Sequence, residues 1–422
     1  MPIIESLTAR EILDSRGRPT VLVKCKVEGA RACSASVPSG ASTGNAEAHE
    51  LRDGDPQRYA GLGCRQAVAN VNGELARALT GCEFATQADL DRALVEIDGT
   101  RQKSRIGSNA ILGVSLAYAR SHASVLEQPL WAYFGRLTGN TPRRLPRLTI
   151  NLFSGGRHAG GQVSIQDVLL VPAGATSIAD SLAMTYDVYQ QAAQLAMERY
   201  GMRLLRADEG GMAPPFRSSE EMIEAALVSI EHAGYRPGAD FRLAVDVASS
   251  EFYSAEMYHL DENKLDSAAM IEQLKDWANR YPIVSVEDGL AEEDWEYWPS
   301  LVEAIGEKSL VVGDDLLCTN PERIRRAIEF RAANALLLKV NQIGTLTEAA
   351  EAYGLARSAG WAVTISVRSG ETEDDWAADL VAGWSGDQFK NGSITQSERL
   401  AKYNRLLEIE ECERWPVAAW PN

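Results

Sequence analysis

Five apolar runs in the second half of the chain stop at charged residues. Phe-Arg-Leu-Ala-Val leads into Asp246, Pro-Ile-Val-Ser-Val into Glu287, Leu-Val-Val-Gly into Asp314 and Ala-Leu-Leu-Leu into Lys339. The fifth, Trp-Ala-Val-Thr-Ile-Ser-Val, closes on Val367 and ends at Arg368. Three carboxylates brought close together repel one another unless something cationic sits among them. An all-oxygen donor set of this kind suits Mg²⁺.

Runs this rich in Val, Ile and Leu, separated by helix-length stretches, read as parallel strands buried on both faces. Charges confined to their carboxyl ends point to a β/α barrel, which carries its active site at that rim. Upstream, residues 19–28 alternate apolar and polar from Val21 to Val27, as a half-buried antiparallel strand does, and residues 32–37 read as its neighbour. Helical patterns follow at about 57–80, 87–96 and 108–125, which suggests a separate α+β unit. Residues 1–137 are thus expected to form one domain and 147–422 the barrel, with Thr138 to Pro146 between them as linker. Helices are expected over 177–200 and 218–233, the latter opening with Ser218, Ser219, Glu220 and Glu221. The Trp-rich end, 413–421, is expected to pack across the barrel or at a subunit contact.

The chain has 422 residues, ample for a large core, and carries a net charge of −17. That acidity argues against a nucleic-acid surface, which needs a basic face. There is no apolar stretch near 18 residues and no signal-peptide pattern, so a soluble cytoplasmic protein without membrane partners is expected. Its six cysteines include no Cys-x-x-Cys pair and read as free thiols.

Three loops add polar candidates. Pro38 to Gly44 could cradle an anion or offer hydroxyls to a metal, although a solvated turn is the default for such a loop. Gly155 to Gly161 carries His158 among four glycines, a composition that permits close ligand approach. Asp208 and Glu209 precede Gly210 and Gly211. Each loop is ambiguous alone.

Taken in order, the motifs resemble those of the enolase family over nearly the whole chain. They include Asp14-Ser15-Arg16-Gly17, Pro38 to Gly44, Glu50 to Asp55, Asp208-Glu209-Gly210-Gly211, Val286-Glu287-Asp288, Leu338 to Leu346, Arg368 to Asp374 and Ser397 to Lys402. The resemblance implies an α/β fold: an N-terminal α+β capping domain followed by a C-terminal TIM-like β/α barrel, assembled as a homodimer or larger homo-oligomer. It also implies Mg²⁺-dependent removal of the C2 proton of 2-phosphoglycerate to give a metal-stabilised enolate, two dications offsetting the developing charge.

By the same resemblance Asp246, Glu287 and Asp314 are ligands of a first Mg²⁺, and Ser42 reaches a second. Lys339 is the general base, its ammonium form disfavoured beside dications. Arg368 and Ser369 hold the phosphate, His158 closes over it, and Lys390 takes the substrate carboxylate. Glu209 protonates the departing hydroxyl.

The sequence departs from that family's pattern on the leaving-group side. Val367 stands where a histidine ordinarily precedes the Arg-Ser-Gly-Glu-Thr motif, and Asp167 where a glutamate follows the loop histidine. Ser154 replaces an asparagine, Gly289-Leu290 replaces Pro-Phe, and Gln396 replaces an arginine. Valine can donate neither a hydrogen bond nor a proton, and such a loss typically lowers rates about 10²–10⁴-fold. The shorter Asp167 is expected to leave room for something larger. These changes suggest a diverged enzyme that forms the enolate but does not simply release phosphoenolpyruvate. The carboxyphosphonoenolpyruvate synthases of phosphonate antibiotic biosynthesis, with a nucleotide-activated second substrate, are such a branch. An ordinary phosphopyruvate hydratase is the alternative, and a non-catalytic enolase-like binding or structural protein the third reading.

Overall fold

The computed structural model describes residues 2–41, 44–201 and 205–419. The N-terminal part is built on an antiparallel sheet of β1 (Ile4–Leu13), β2 (Pro19–Val27) and β3 (Cys33–Ser36). β2 and β3 are the two strands read from alternation. β1 escaped that reading because only two of its ten residues are buried and its apolar residues do not alternate.

Helix Ser108–Val125 lies across this sheet, and Gly113 lets it approach. A Cβ at Gly113 would stand 2.5 Å from Val23 Cγ2. The helix expected over 57–80 begins only at Arg65 and runs on, through one π turn at Val71–Leu75, to Leu79. Asp53 sets that start, its carboxylate accepting from the N–H groups of Arg65 at 3.0 Å and Gln66 at 2.8 Å.

Eight strands close the barrel: β4 (Arg147–Ser154), β5 (Asp167–Val171), β6 (Arg242–Asp246), β10 (Ile283–Glu287), β11 (Leu310–Gly313), β12 (Ala335–Leu338), β13 (Ala362–Ser366) and β14 (Gln388–Lys390). A small separate sheet of β7 (Tyr253–Ser254), β8 (Met257–Leu260) and β9 (Asn263–Leu265) follows β6. The five runs named above are β6 and β10 to β13, and all pair in parallel.

β5 is the exception, antiparallel to both β4 and β6. The glycine-rich connection from β4 holds no crossover helix, so the chain turns straight back. Two helices, Ile178–Tyr200 and Ser219–His232, then carry it to β6. The reversal matters for the site. It puts the first residue of β5, Asp167, beside the last residue of β6, Asp246.

The N-terminal part grips the barrel through buried polar contacts. Asp91 accepts from Thr347 N–H at 2.9 Å, and Lys103 pairs with Glu348 at 2.8 Å. The C-terminal tail packs at the opposite end of the barrel from the rim. Leu145 donates to Pro416 O, Ala418 donates back, and the Trp415 ring stands 4.8 Å from Trp131. Of the Trp-rich end, Trp420 and Pro421 lie outside the described residues. No helix among the described residues is long and apolar enough to cross a membrane.

Candidate active site

Six strand ends deliver charge to one rim. Asp246 and Glu287 are paired neighbours at the ends of β6 and β10. Asp314 follows β11, Lys339 follows β12, Arg368 lies just beyond β13, and Lys390 ends β14. All these side chains are buried except Lys339, which is mostly so, and water can do little to offset their charges.

They offset one another instead. Lys390 Nζ lies 2.6 Å from Asp246 Oδ2 and 2.7 Å from Glu287 Oε2. Lys339 Nζ lies 2.5 Å from Asp314 Oδ2. Burial and the nearby Asp246 push the Glu287 carboxyl well above its usual range, despite Lys390. For Asp314 burial acts the same way, but Lys339, with Arg368 and Lys390, outweighs it and the group is lowered. At Lys339 burial opposes the ammonium, but Asp314 together with other acids, Glu287 among them, outweighs it. Among these protein groups alone the balance favours the ammonium form of Lys339.

The donors present fit Mg²⁺. Asp246, Glu287 and Asp314 offer only oxygen, and Glu287 Oε1 is buried without a hydrogen-bond partner, as an oxygen facing a cation would be. Among the described residues, the groups that converge closely enough for one ion are Asp288–Asp314–Asp315 and His158–Asp167–Glu209. Asp246 and Glu287 belong to neither, because the Lys390 ammonium lies between them. Asp288 has a structural use: its two oxygens accept from the N–H groups of Asp314 at 2.9 Å and Asp315 at 2.7 Å, shaping the turn after β11.

His158, Asp167 and Glu209 form a second cluster. His158 Nδ1 is 3.0 Å from Asp167 Oδ2, and its Nε2 is 4.0 Å from Glu209 Oε1. Burial opposes a charge on the ring, but Asp167 and Glu209 outweigh it and raise the imidazole to about 9. Ser154 Oγ donates to the other Asp167 oxygen at 2.5 Å. Two of the departures noted above, Ser154 and Asp167, are thus partners. The shortened carboxylate has both oxygens engaged. Asn151 Nδ2 holds Glu209 Oε2 at 3.1 Å. His158, expected over a phosphate with Arg368 and Ser369, stands in this structure with the two acids.

Arg368 and Ser369 form the third group. Glu47 faces the Arg368 guanidinium with both oxygens, at 3.0 and 3.3 Å, and Asn341 Oδ1 accepts from it at 3.3 Å. Arg399, fully buried, fixes this segment by donating 2.8 Å bonds to the carbonyls of Arg368 and Ser369. Arg16, from the turn after β1, donates to Ser369 Oγ at 3.1 Å. A cavity of about 410 Å³ opens here, lined by Pro38, Gly44, Glu47, His49, Asn341 and Arg368. Ser42 lies outside the described residues. Val367 is buried, and its N–H donates to Lys390 O at 3.2 Å.

Glu47, Asn151 and Gln166 carry no role in the sequence reading, yet each touches a candidate. Gln166 Nε2 donates to Asp246 Oδ2 at 3.0 Å. Gln166 directly precedes Asp167, a position that could have flagged it. Glu47 carried no comparable signal.

Residues 4–134 match the family described as "Enolase, N-terminal domain", and residues 143–414 that described as "Enolase, C-terminal TIM barrel domain". Among curated proteins, the chain is 48% identical over 414 residues to "Enolase" of Methanopyrus kandleri, covering 97% of this chain and 96% of that relative.

Proposed function

Because the chain belongs to the enolase family and is an enzyme of its superfamily, we propose that it carries out the ordinary enolase reaction, dehydrating 2-phosphoglycerate to phosphoenolpyruvate. The observation that carries this reading is the shared rim, where Lys339 contacts Asp314 and Lys390 joins Asp246 to Glu287. The identity to a protein named enolase favours dehydration over the diverged branch as the first reading.

In this scheme Asp246, Glu287 and Asp314 hold Mg²⁺, with Ser42 assigned to a second ion. Bound Mg²⁺ supplies positive charge against the negative charge that builds on the substrate carboxylate. Lys339 accepts the C2 proton, for which it must first release its own proton and its hold on Asp314. Lys390 exchanges a protein carboxylate for that of the substrate. Arg368 exchanges Glu47 for the phosphate, its planar fork suiting either anion. On the far side Glu209, held by Asn151 and facing the charged His158, handles the proton for the departing hydroxyl.

A second reading rests on one observation. Val367 occupies a buried position with no side-chain donor, so the enolate would form while water leaves slowly. A transfer to an activated phosphonoformate, as in the phosphonate branch, would use such an enolate. A non-catalytic role is disfavoured, since a structural protein needs neither the three acids nor the lysines held among them. Purified protein with Mg²⁺ and 2-phosphoglycerate, followed at the enol absorbance, decides. Turnover of about 1–10³ s⁻¹ supports ordinary dehydration. C2 proton exchange without product supports the second reading.

A further inference from the structure

We propose that Thr319 and Gln342 are positioning residues that close a hydrogen-bonded ring through Lys339 and Asp314, fixing the orientation of both. This proposal rests on the assignment of those two residues made above. The ring starts at the backbone of Lys339, whose N–H donates to Thr319 Oγ1 at 2.9 Å. Thr319 donates to Gln342 Oε1 at 2.7 Å, and Gln342 Nε2 donates to Asp314 Oδ1 at 2.7 Å. Asp314 Oδ2 then meets Lys339 Nζ, and the path ends on the residue where it began.

Each link dictates the next. A backbone N–H can only donate, so Thr319 Oγ1 accepts there and turns its hydrogen to Gln342. The carbonyl of the Gln342 amide must therefore face Thr319, and its NH₂ must face Asp314. One carboxylate oxygen is thereby engaged, and the other is presented to the rim. Thr319 and Gln342 are wholly buried, so no water competes for these bonds.

Backbone geometry adds an independent sign of purpose. Cys318 and Thr319 both have positive φ, +48° and +51°. That is costly for a β-branched residue, on the order of 1–3 kcal/mol, and persists where the surroundings impose it. A glycine would relieve the strain but could not supply the hydroxyl. The ring also reaches the loop over the site, because Ala48 N–H donates to Gln342 O at 2.7 Å, one residue from the Glu47 that faces Arg368.

Thr319→Val and Thr319→Ser separate the hydroxyl from the shape. Valine keeps the branch and loses the hydroxyl, whereas serine keeps the hydroxyl and loses the methyl. Mg²⁺ affinity is measured by calorimetry without substrate, alongside turnover of 2-phosphoglycerate and the melting temperature. We expect Thr319→Val to lose about 10–100-fold in Mg²⁺ affinity or kcat, and Thr319→Ser to stay near wild type. Wild-type values of both in Thr319→Val, or an equal loss in Thr319→Ser, overturn the proposal. If the valine variant does not fold, Gln342→Met put to the same measurements must show the loss, and wild-type values there overturn the proposal. The calorimetry is independent of the assigned substrate. A wild-type protein that binds Mg²⁺ but ignores 2-phosphoglycerate would count against the function above and leave the ring to be judged on metal affinity.

Discussion

Individual residues here are governed by who offsets whose charge. His158 is the clearest case, since burial alone would strip its proton, yet Asp167 and Glu209 raise the ring to about 9. A histidine raised above its ordinary value near 6.5 lends stability that is full below that pH and is lost as pH rises through 9. Asp167→Asn removes the nearer charge, so the ring should titrate well below 9, as followed by NMR of the imidazole carbons. An unchanged titration would mean that Asp167 does not hold the proton there. The five strand-end charges were legible because a long buried strand tolerates a charge only where it ends. The partners were not. Glu47 and Arg368 are 321 positions apart, and nothing local in the sequence announces such a pair.

Whole elements show the same division. Parallel strands with strong apolar runs were readable, whereas β5 was not, because its direction is set by the absence of a helix after β4. That reversal makes Asp167 a member of the site at all. β1 was missed for another reason, its exposed and irregular face. Packing between elements also rests on details that composition does not reveal. A Cβ at Gly113 would come within 2.5 Å of Val23 Cγ2, in a helix that otherwise favours alanine. Gly113→Ala should therefore destabilise the protein by about 1–3 kcal/mol in chemical denaturation, despite the better helix propensity. A stabilised variant would show that the helix has room to move away from the sheet.

For the molecule as a whole, what defines the site is that a capping part and a barrel meet over one charged rim. Arg16 and Glu47, from the capping part, contact Ser369 and Arg368, so the side proposed to take the phosphate is assembled from both. The leaving-group cluster of His158, Asp167 and Glu209 comes from the barrel alone, as do Asp246, Glu287 and Asp314. Exchange of the C2 proton of 2-phosphoglycerate with deuterium from solvent, in the presence of Mg²⁺, tests the central assignment of Lys339 most directly. The wild-type protein should exchange that proton, and Lys339→Ala should do so about 10²–10⁴-fold more slowly while still binding Mg²⁺. Equal exchange by the two proteins, or none by wild type at saturating Mg²⁺, would contradict it.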